Sequence, residues 1–211
     1  MKIFRILRFA PLANLLIAAG ALLLVPPATH WWIAARAQEH GAAALAARSD
    51  VAPANRPPRR EGEPLGRLTL PRLGIDAVVF EGTSDETLRK GPGHLSGTGW
   101  PGEGTPSSCV ISAHRDTFFR RLEGARPGDL VTLHGGDLAA TYRLESRRVV
   151  TPDDAGAVSP LPGDRLTLVT CYPFHFLGAA PYRLIWTARR ADGAVAQGEI
   201  RSSGLERPDP R

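Results

Sequence analysis

The sequence predicts a mainly β protein: a closed, eight-stranded barrel with short helices, preceded by an N-terminal transmembrane helix. Three observations carry this reading. Runs of β-branched and aromatic residues with period-two alternation recur every 8–20 residues or so between positions 65 and 191. Almost nothing between those runs has helical period, and turn residues separate them, as in small β-barrels. A basic N-terminus, MKIFRILR, is followed by the apolar stretch FAPLANLLIAAGALLLV at 9–25.

That apolar stretch comes first in the chain. Between Arg8 and Arg36, His30 is the only titratable residue. A helix needs about 20 apolar residues to cross a hydrocarbon core about 30 Å thick. Residues 9–25 reach that length when extended through Pro26 and Pro27 to Trp31 and Trp32, a pair suited to the far headgroup zone. Residues 1–37 are therefore expected to anchor the chain in the inner (cytoplasmic) membrane, in contact with lipid through 9–33. The basic end stays inside and the rest of the chain lies on the extracytoplasmic side. A cleaved signal peptide, ending at the small-x-small triplet Ala35-Arg36-Ala37, is the competing reading. Residues 38–64 read as an Ala/Pro-rich stalk: QEHGAAALAAR forms a short helix, and SDVAPANRPPRREGEP has almost nothing to bury.

From residue 65 the texture is that of a folded domain. GRLTLPRLGIDAVVFEG gives two strands broken at Leu73-Gly74, and SDETLRKGPGHL gives one capped helical turn from Ser84. SGTGWPGEGTPS is a glycine-rich loop with no strand–helix frame and no Lys-Ser/Thr, so turn chemistry outweighs a phosphate cradle. SSCVISAH is a strand ending at His114, and Phe118, Phe119 and Leu122 form a short helix sealing one end. LVTLHGG and AATYRLESRRVVTP flank a hairpin turn at Gly135-Gly136-Asp137. Residues 153–164 form a loop long enough to be functional. DRLTLVTC and PYRLIWTARR close the domain at 191, and the polar stretch 192–211 is a tail.

The formal charge of +5 suggests a nucleic-acid partner until the charges are located. Four of the 26 basic residues precede position 38, whereas all 21 acidic residues follow it. The exported part is nearly neutral, which argues against nucleic acid as a partner. Two cysteines, Cys109 and Cys171, make neither a disulfide framework nor a metal site, and the six histidines show no paired-ligand spacing. The loop acids Glu103, Asp153 and Asp154 lack oxygen-ligand spacing, so no metal and no other cofactor is expected.

The chemistry concentrates in LTLVTCYPFHFLGAAPYR at 166–183. Cys171 ends one apolar strand, Arg183 opens the next, and His114 ends a third. A thiolate attacks a carbonyl, a guanidinium holds the resulting oxyanion, and a group titrating near neutrality moves the proton. A buried structural cysteine in an anchored interaction module is the alternative. Cys109, deeper in the same strand as His114, is expected to be buried and idle. His94, His134 and His175 read as solvent-facing; Arg115 and Asp116 either orient His114 or, the preferred reading, cap the helix that follows.

SAHRD (112–116), LTLVTC (166–171) and PYR (181–183) resemble, in order, the three signatures of the sortases, membrane-anchored cysteine transpeptidases. AHRDTFF and TCYPFHFLGAAPYR are most similar to the class D-like group and to the sortases of Gram-negative bacteria. The resemblance implies Cys171 as nucleophile, His114 as acid–base and Arg183 as oxyanion stabiliser. It also implies that Thr170 and Ala113 contact substrate. The substrate implied is a protein with an LPxTG-like C-terminal sorting signal, passed through a thioester to an amine acceptor.

Overall fold

The computed structural model describes residues 10–47, 59–101, 108–135, 138–159 and 161–191. Among these, eight strands close into a barrel: β1 (Pro64–Leu70), β2 (Ile75–Glu81), β3 (Gly93–His94), β4 (Ser108–Ser112), β5 (Leu130–Gly135), β6 (Leu138–Val150), β7 (Arg165–Tyr172) and β8 (Tyr182–Arg190). They run around the wall in the order β1-β2-β3-β4-β7-β8-β6-β5. Two neighbouring pairs, β2–β3 and β4–β7, are parallel; the other six are antiparallel.

The period-two pattern decides which side chains fill the barrel. Leu68 and Leu70, Cys109 and Ile111, Val131 and Leu133, Tyr142 and Leu144, Leu166 and Leu168, and Leu184 and Trp186 all join one interior cluster. Phe119 and Leu122, from the segment after β4, plug one end. Each fully buried aliphatic or aromatic side chain of this kind contributes about 1.5–3 kcal/mol. Between β1 and β2 the chain turns on a short 3₁₀ helix, Pro71–Leu73, ended by Gly74 at φ 60°, a left-handed conformation that costs glycine little.

Seven of the eight strands coincide with runs legible in the sequence. The eighth, β3, is only two residues long and sits in a stretch that reads as a turn. It corrects the expectation for His94, which is 1% exposed. Its Nδ1 lies 2.9 Å from the Glu81 carboxylate, and Nε2 lies 3.0 Å from the Thr98 hydroxyl. The helical turn is α2 (Asp85–Lys90), with the Ser84 hydroxyl accepting from the Thr87 amide at 3.3 Å.

The N-terminal segment departs from expectation in its extent. One continuous helix, α1, covers Ala10–Ala47, about 57 Å at 1.5 Å per residue. It does not stop at Pro26–Pro27, and the boundary expected at 37/38 falls inside it. Its C-terminal part is docked and is not a free stalk. Upstream of its pairing with β3, β2 has an open edge whose backbone groups need partners. Gln38 supplies them: its amide donates to the Val78 and Lys90 carbonyls at 3.1 and 3.0 Å and accepts from the Val78 amide at 2.6 Å. The approach is so close that a Cβ on Gly41 would meet Val78 Cγ1 at 2.9 Å. Past the undescribed residues 48–58, the stalk's end is also part of the barrel, since Gly62 donates to the Glu81 carbonyl and Glu81 to the Glu63 carbonyl, both at 2.8 Å. No helix among the described residues is long and apolar enough to cross a membrane. The tail 192–211 lies outside the described residues.

Candidate active site

The site is built across three adjacent strands, β4, β7 and β8. Cys171 and Arg183 are direct partners in the antiparallel β7–β8 ladder. On the other side of β7, the parallel register runs from Ser108↔Arg165 to Ser112↔Val169, and the Ala113 amide continues it by donating to the Val169 carbonyl at 3.1 Å. Two further steps bring His114 level with Cys171, one strand spacing of about 4.8 Å away. Histidine, cysteine and arginine thus form one row across the sheet.

Their common face follows from parity. Val110, Val169 and Ile185 form a second apolar cluster, outside the barrel, with Ala157. His114 lies four residues from Val110, while Cys171 and Arg183 lie two residues from Val169 and Ile185, so all three project to that outer face. Leu95, Val150 and Val158 pack around the cluster. The functional loop expected at 153–164 covers it with a 3₁₀ helix, Ala155–Val158, and is tied to β4 by the Leu161 amide donating to the Ser108 hydroxyl at 3.0 Å. The row therefore stands just beyond a buried apolar cluster that this loop closes over. Cys171, His114 and Arg183 are all half-buried. Among the described residues, Arg183 is held through Nη1, which donates to the Ala180 and Tyr182 carbonyls at 3.2 and 3.0 Å. Nε and Nη2 remain for an incoming anion.

Thr170 and Ala113, which the resemblance implies as substrate contacts, directly precede Cys171 and His114 in the chain. Both are turned inward and are only 2% and 3% exposed. The Thr170 hydroxyl donates to the Ala113 carbonyl at 2.8 Å. Together they lock the end of β4 against β7 and so fix where His114 emerges. Cys109 is fully buried, as expected, and no disulfide joins it to Cys171.

Arg115 does not cap the segment that follows, the preferred of its two readings from sequence. Its guanidinium reaches across the site and donates to the carbonyls of Pro173, Phe176 and Gly178, each at 2.8 Å. These carbonyls belong to the loop joining Cys171 to Arg183. Three acceptors spread over six residues suit only a planar, multi-donor cation. The one clue in the sequence was position, an arginine directly after the histidine. The same loop is held on its far side by His175, whose Nε2 lies 3.1 Å from the Glu123 carboxylate. His134 and His175 are exposed, as expected. Among the described residues no group of His, Cys, Asp or Glu could hold a metal, and Glu103 lies outside them.

Comparison with known proteins bears on the whole of this domain. A sequence model of the sortase domain family matches residues 68–191. Sortase D of Bacillus subtilis (strain 168) is 34% identical over 130 residues, which are 61% of this chain and 65% of that protein, so the match spans less than two-thirds of that relative's length. A sortase C of Clostridium perfringens, solved with its C-terminal cell wall sorting motif, superposes with TM-score 0.57 at 32% identity, covering 63% of this chain and 73% of that one. A Clostridium perfringens sortase D5 transpeptidase superposes with TM-score 0.63 at 19% identity over 75% of this chain and 98% of that chain, a likeness of fold.

Proposed function

This chain belongs to the sortase family, and from that premise we propose that it is a cysteine transpeptidase, class D-like, acting on proteins with an LPxTG-like C-terminal sorting signal. The observation that carries the reading is the ladder pairing of Cys171 with Arg183 beside the strand end that bears His114. The Cys171 thiolate attacks the carbonyl carbon of the signal's threonine. The planar Arg183 guanidinium holds the oxygen that becomes negative. As the Thr–Gly C–N bond breaks, His114 gives its proton to the leaving amine, and the acyl group remains on sulfur as a thioester. An acceptor amine then attacks the thioester carbonyl, His114 takes the proton released, and the thiolate departs.

The choice of a sorting-signal peptide is supported by the Clostridium perfringens relative solved with such a motif. The test is incubation of the protein with a fluorogenic LPxTG-type peptide and a small amine. Wild-type protein is expected to form the amide product, and Cys171→Ala to lose at least 10³-fold in rate, the scale on which loss of a covalent nucleophile is felt. Cleavage that survives Cys171→Ala overturns the assignment.

We also propose that residues 9–33 anchor the chain in the cytoplasmic membrane with the barrel outside. Leu15, Leu16, Ile17, Leu22 and Leu24 are each at least 65% exposed, and Lys2, Arg5 and Arg8 precede them. Side chains at 10–13, 23 and 25–28 lie outside the described set. The triplet Ala35-Arg36-Ala37 lies within continuous α1, which favours an uncleaved anchor over a signal peptide. Retention of the full-length chain in carbonate-washed membranes is the expected result; release of a shortened, soluble chain overturns it.

A further inference from the structure

Every large hydrophobic side chain that the barrel leaves exposed among the described residues lies at one end of it. These are Leu130, Val149, Phe176, Leu177 and Tyr182. The strand directions bring them together, because β7 and β8, β8 and β6, and β6 and β5 are each antiparallel. The end of β7, the start of β8, the end of β6 and the start of β5 therefore point the same way. Leu130 opens β5, Val149 is next to last in β6, Tyr182 opens β8, and Phe176 and Leu177 lie in the loop from β7 to β8. The opposite end is closed differently. Trp100 fills it against Gly66 and Gly135, fully buried and beneath the Arg59 guanidinium.

Single exposed apolar residues scattered over a surface need no explanation, but a set confined to one end does. Leu177 is 97% exposed, and yet its backbone is held. Arg115 donates to the carbonyls of Phe176 and Gly178 on either side of it, and His175 is fastened to Glu123. Folding removes almost none of this side chain's area from water; only a partner can.

Helix α1 says which partner. Trp31, Trp32 and Ile33 are exposed about two turns before Gln38, where α1 docks on the barrel. Trp31 stands across one cleft from Arg120, which belongs to the segment plugging this same end. The Arg120 guanidinium makes no hydrogen bond or ion pair among the described residues and suits a lipid phosphate. We propose that this end of the barrel is a second membrane contact, in which Phe176 and Leu177 enter the interfacial zone of the bilayer beside Trp31 and Trp32. The proposal rests on the anchor proposed above and not on the transpeptidase reading. Tryptophan at headgroup level with aliphatic side chains next to it is the pattern that a bilayer interface selects. A bilayer is favoured over a second copy of the chain because the anchor already brings lipid to this end. The loop between Cys171 and Arg183 is then held by Arg115, by Glu123 and by lipid, and the row stands at the bilayer surface rather than on a free stalk.

The test places the full-length, isotope-labelled chain in nanodiscs of phosphatidylethanolamine and phosphatidylglycerol that carry a lipid with a nitroxide at its headgroup. Backbone amide signals are read by NMR before and after ascorbate reduces the nitroxide. Phe176 and Leu177 are expected to lose about half of their signal or more, as Trp31 and Trp32 do at headgroup level, whereas His134 and Arg165 at the other end keep theirs. Leu177→Asp changes a solvent-facing side chain and should keep the native circular dichroism. It should restore the signals of residues 175–178 while Trp31 and Trp32 stay broadened. Broadening at Trp31 and Trp32 but not at Phe176 and Leu177 overturns the proposal and leaves the anchor standing. Broadening of the loop with Trp31 and Trp32 untouched would uphold the surface and reject the placement of the anchor. Loop signals that ignore the nitroxide but shift with protein concentration would assign this end to a second copy of the chain, and so overturn the proposal as well.

Discussion

Arg115 holds three carbonyls of the loop that separates the nucleophile from the oxyanion partner, and it is the residue next to the acid–base histidine. It touches no reacting atom in the proposed chemistry, so it is a positioning residue. Arg115→Ala leaves three carbonyls to water and frees the loop, while the barrel interior is untouched. Misplacement of reacting groups by about 1 Å costs on the order of 10²-fold. The expected outcome is a 10- to 100-fold fall in kcat for the peptide, little change in KM and an unfolding temperature within a few degrees of wild type. Lysine lacks the planar fork and should rescue little of the loss. A fall in stability that accounts for the whole loss of activity would demote Arg115 to a structural role. Thr170 works on the other side of the histidine. Thr170→Val keeps the shape but strands the Ala113 carbonyl, at about 1–3 kcal/mol, as a change in unfolding free energy would show. The catalytic candidates were legible because each sits at a strand end with its chemistry in its side chain. The contacts of Arg115 and Thr170 were not legible, because they are bonds to backbone about 60 residues away, which no local pattern encodes.

At the scale of elements, β7 and β8 were legible because alternation and β-branching mark a strand buried on one face. Strand β3 was not, since two residues carry no period and its existence depends on partners at Phe80 and Ile111. The extent of α1 was illegible for a related reason. Alanine-rich sequence says that a helix is allowed, but not that an open strand edge is waiting for Gln38. That docking makes its own prediction. Gln38→Ala removes three hydrogen bonds at a partly buried site and should cost about 1–3 kcal/mol of local stability. Gly41→Val adds bulk where a Cβ alone already meets Val78 and Phe80. Both variants should raise hydrogen-exchange rates at the Val78 amide and expose residues 38–47 to protease, while the exchange of Leu168 stays slow. Unchanged protection at Val78 would mean that α1 is held elsewhere.

Charge, viewed over the whole molecule, was legible in its division between a basic N-terminus and a balanced domain, but not in its pairings. Two of those pairings are made by arginines of β1 and the β1–β2 turn. Asp129, before β5, accepts from Arg72 in the β1–β2 turn and from the Arg126 amide, while Arg72 also donates to the Gly124 carbonyl at 2.7 Å. On β1 and β2, Arg67 grips Asp76 through two hydrogen bonds of 2.5 and 2.6 Å. The hydrogen bond from Arg72 foremost, with that of the Arg126 amide, holds the Asp129 carboxyl below its ordinary range, and the hydrogen bond from Arg67 does the same for Asp76. A carboxyl whose pKa is lower folded than unfolded stabilises the fold fully above its unfolded value, about 4 for aspartate. That contribution is lost as pH falls through the folded value. The unfolding temperature should therefore be flat from neutral pH to about 5 and fall steeply below 4. Asp129 closes the end of the barrel that Phe119 and Leu122 plug, so its protonation should be felt in global unfolding and not only in a loop. Asp129→Asn should unfold at a lower temperature than wild type at neutral pH and lose less on acidification, so that the two curves converge at low pH. Parallel curves, measured by circular dichroism from pH 7 to 2, would remove Asp129 as a source of acid lability.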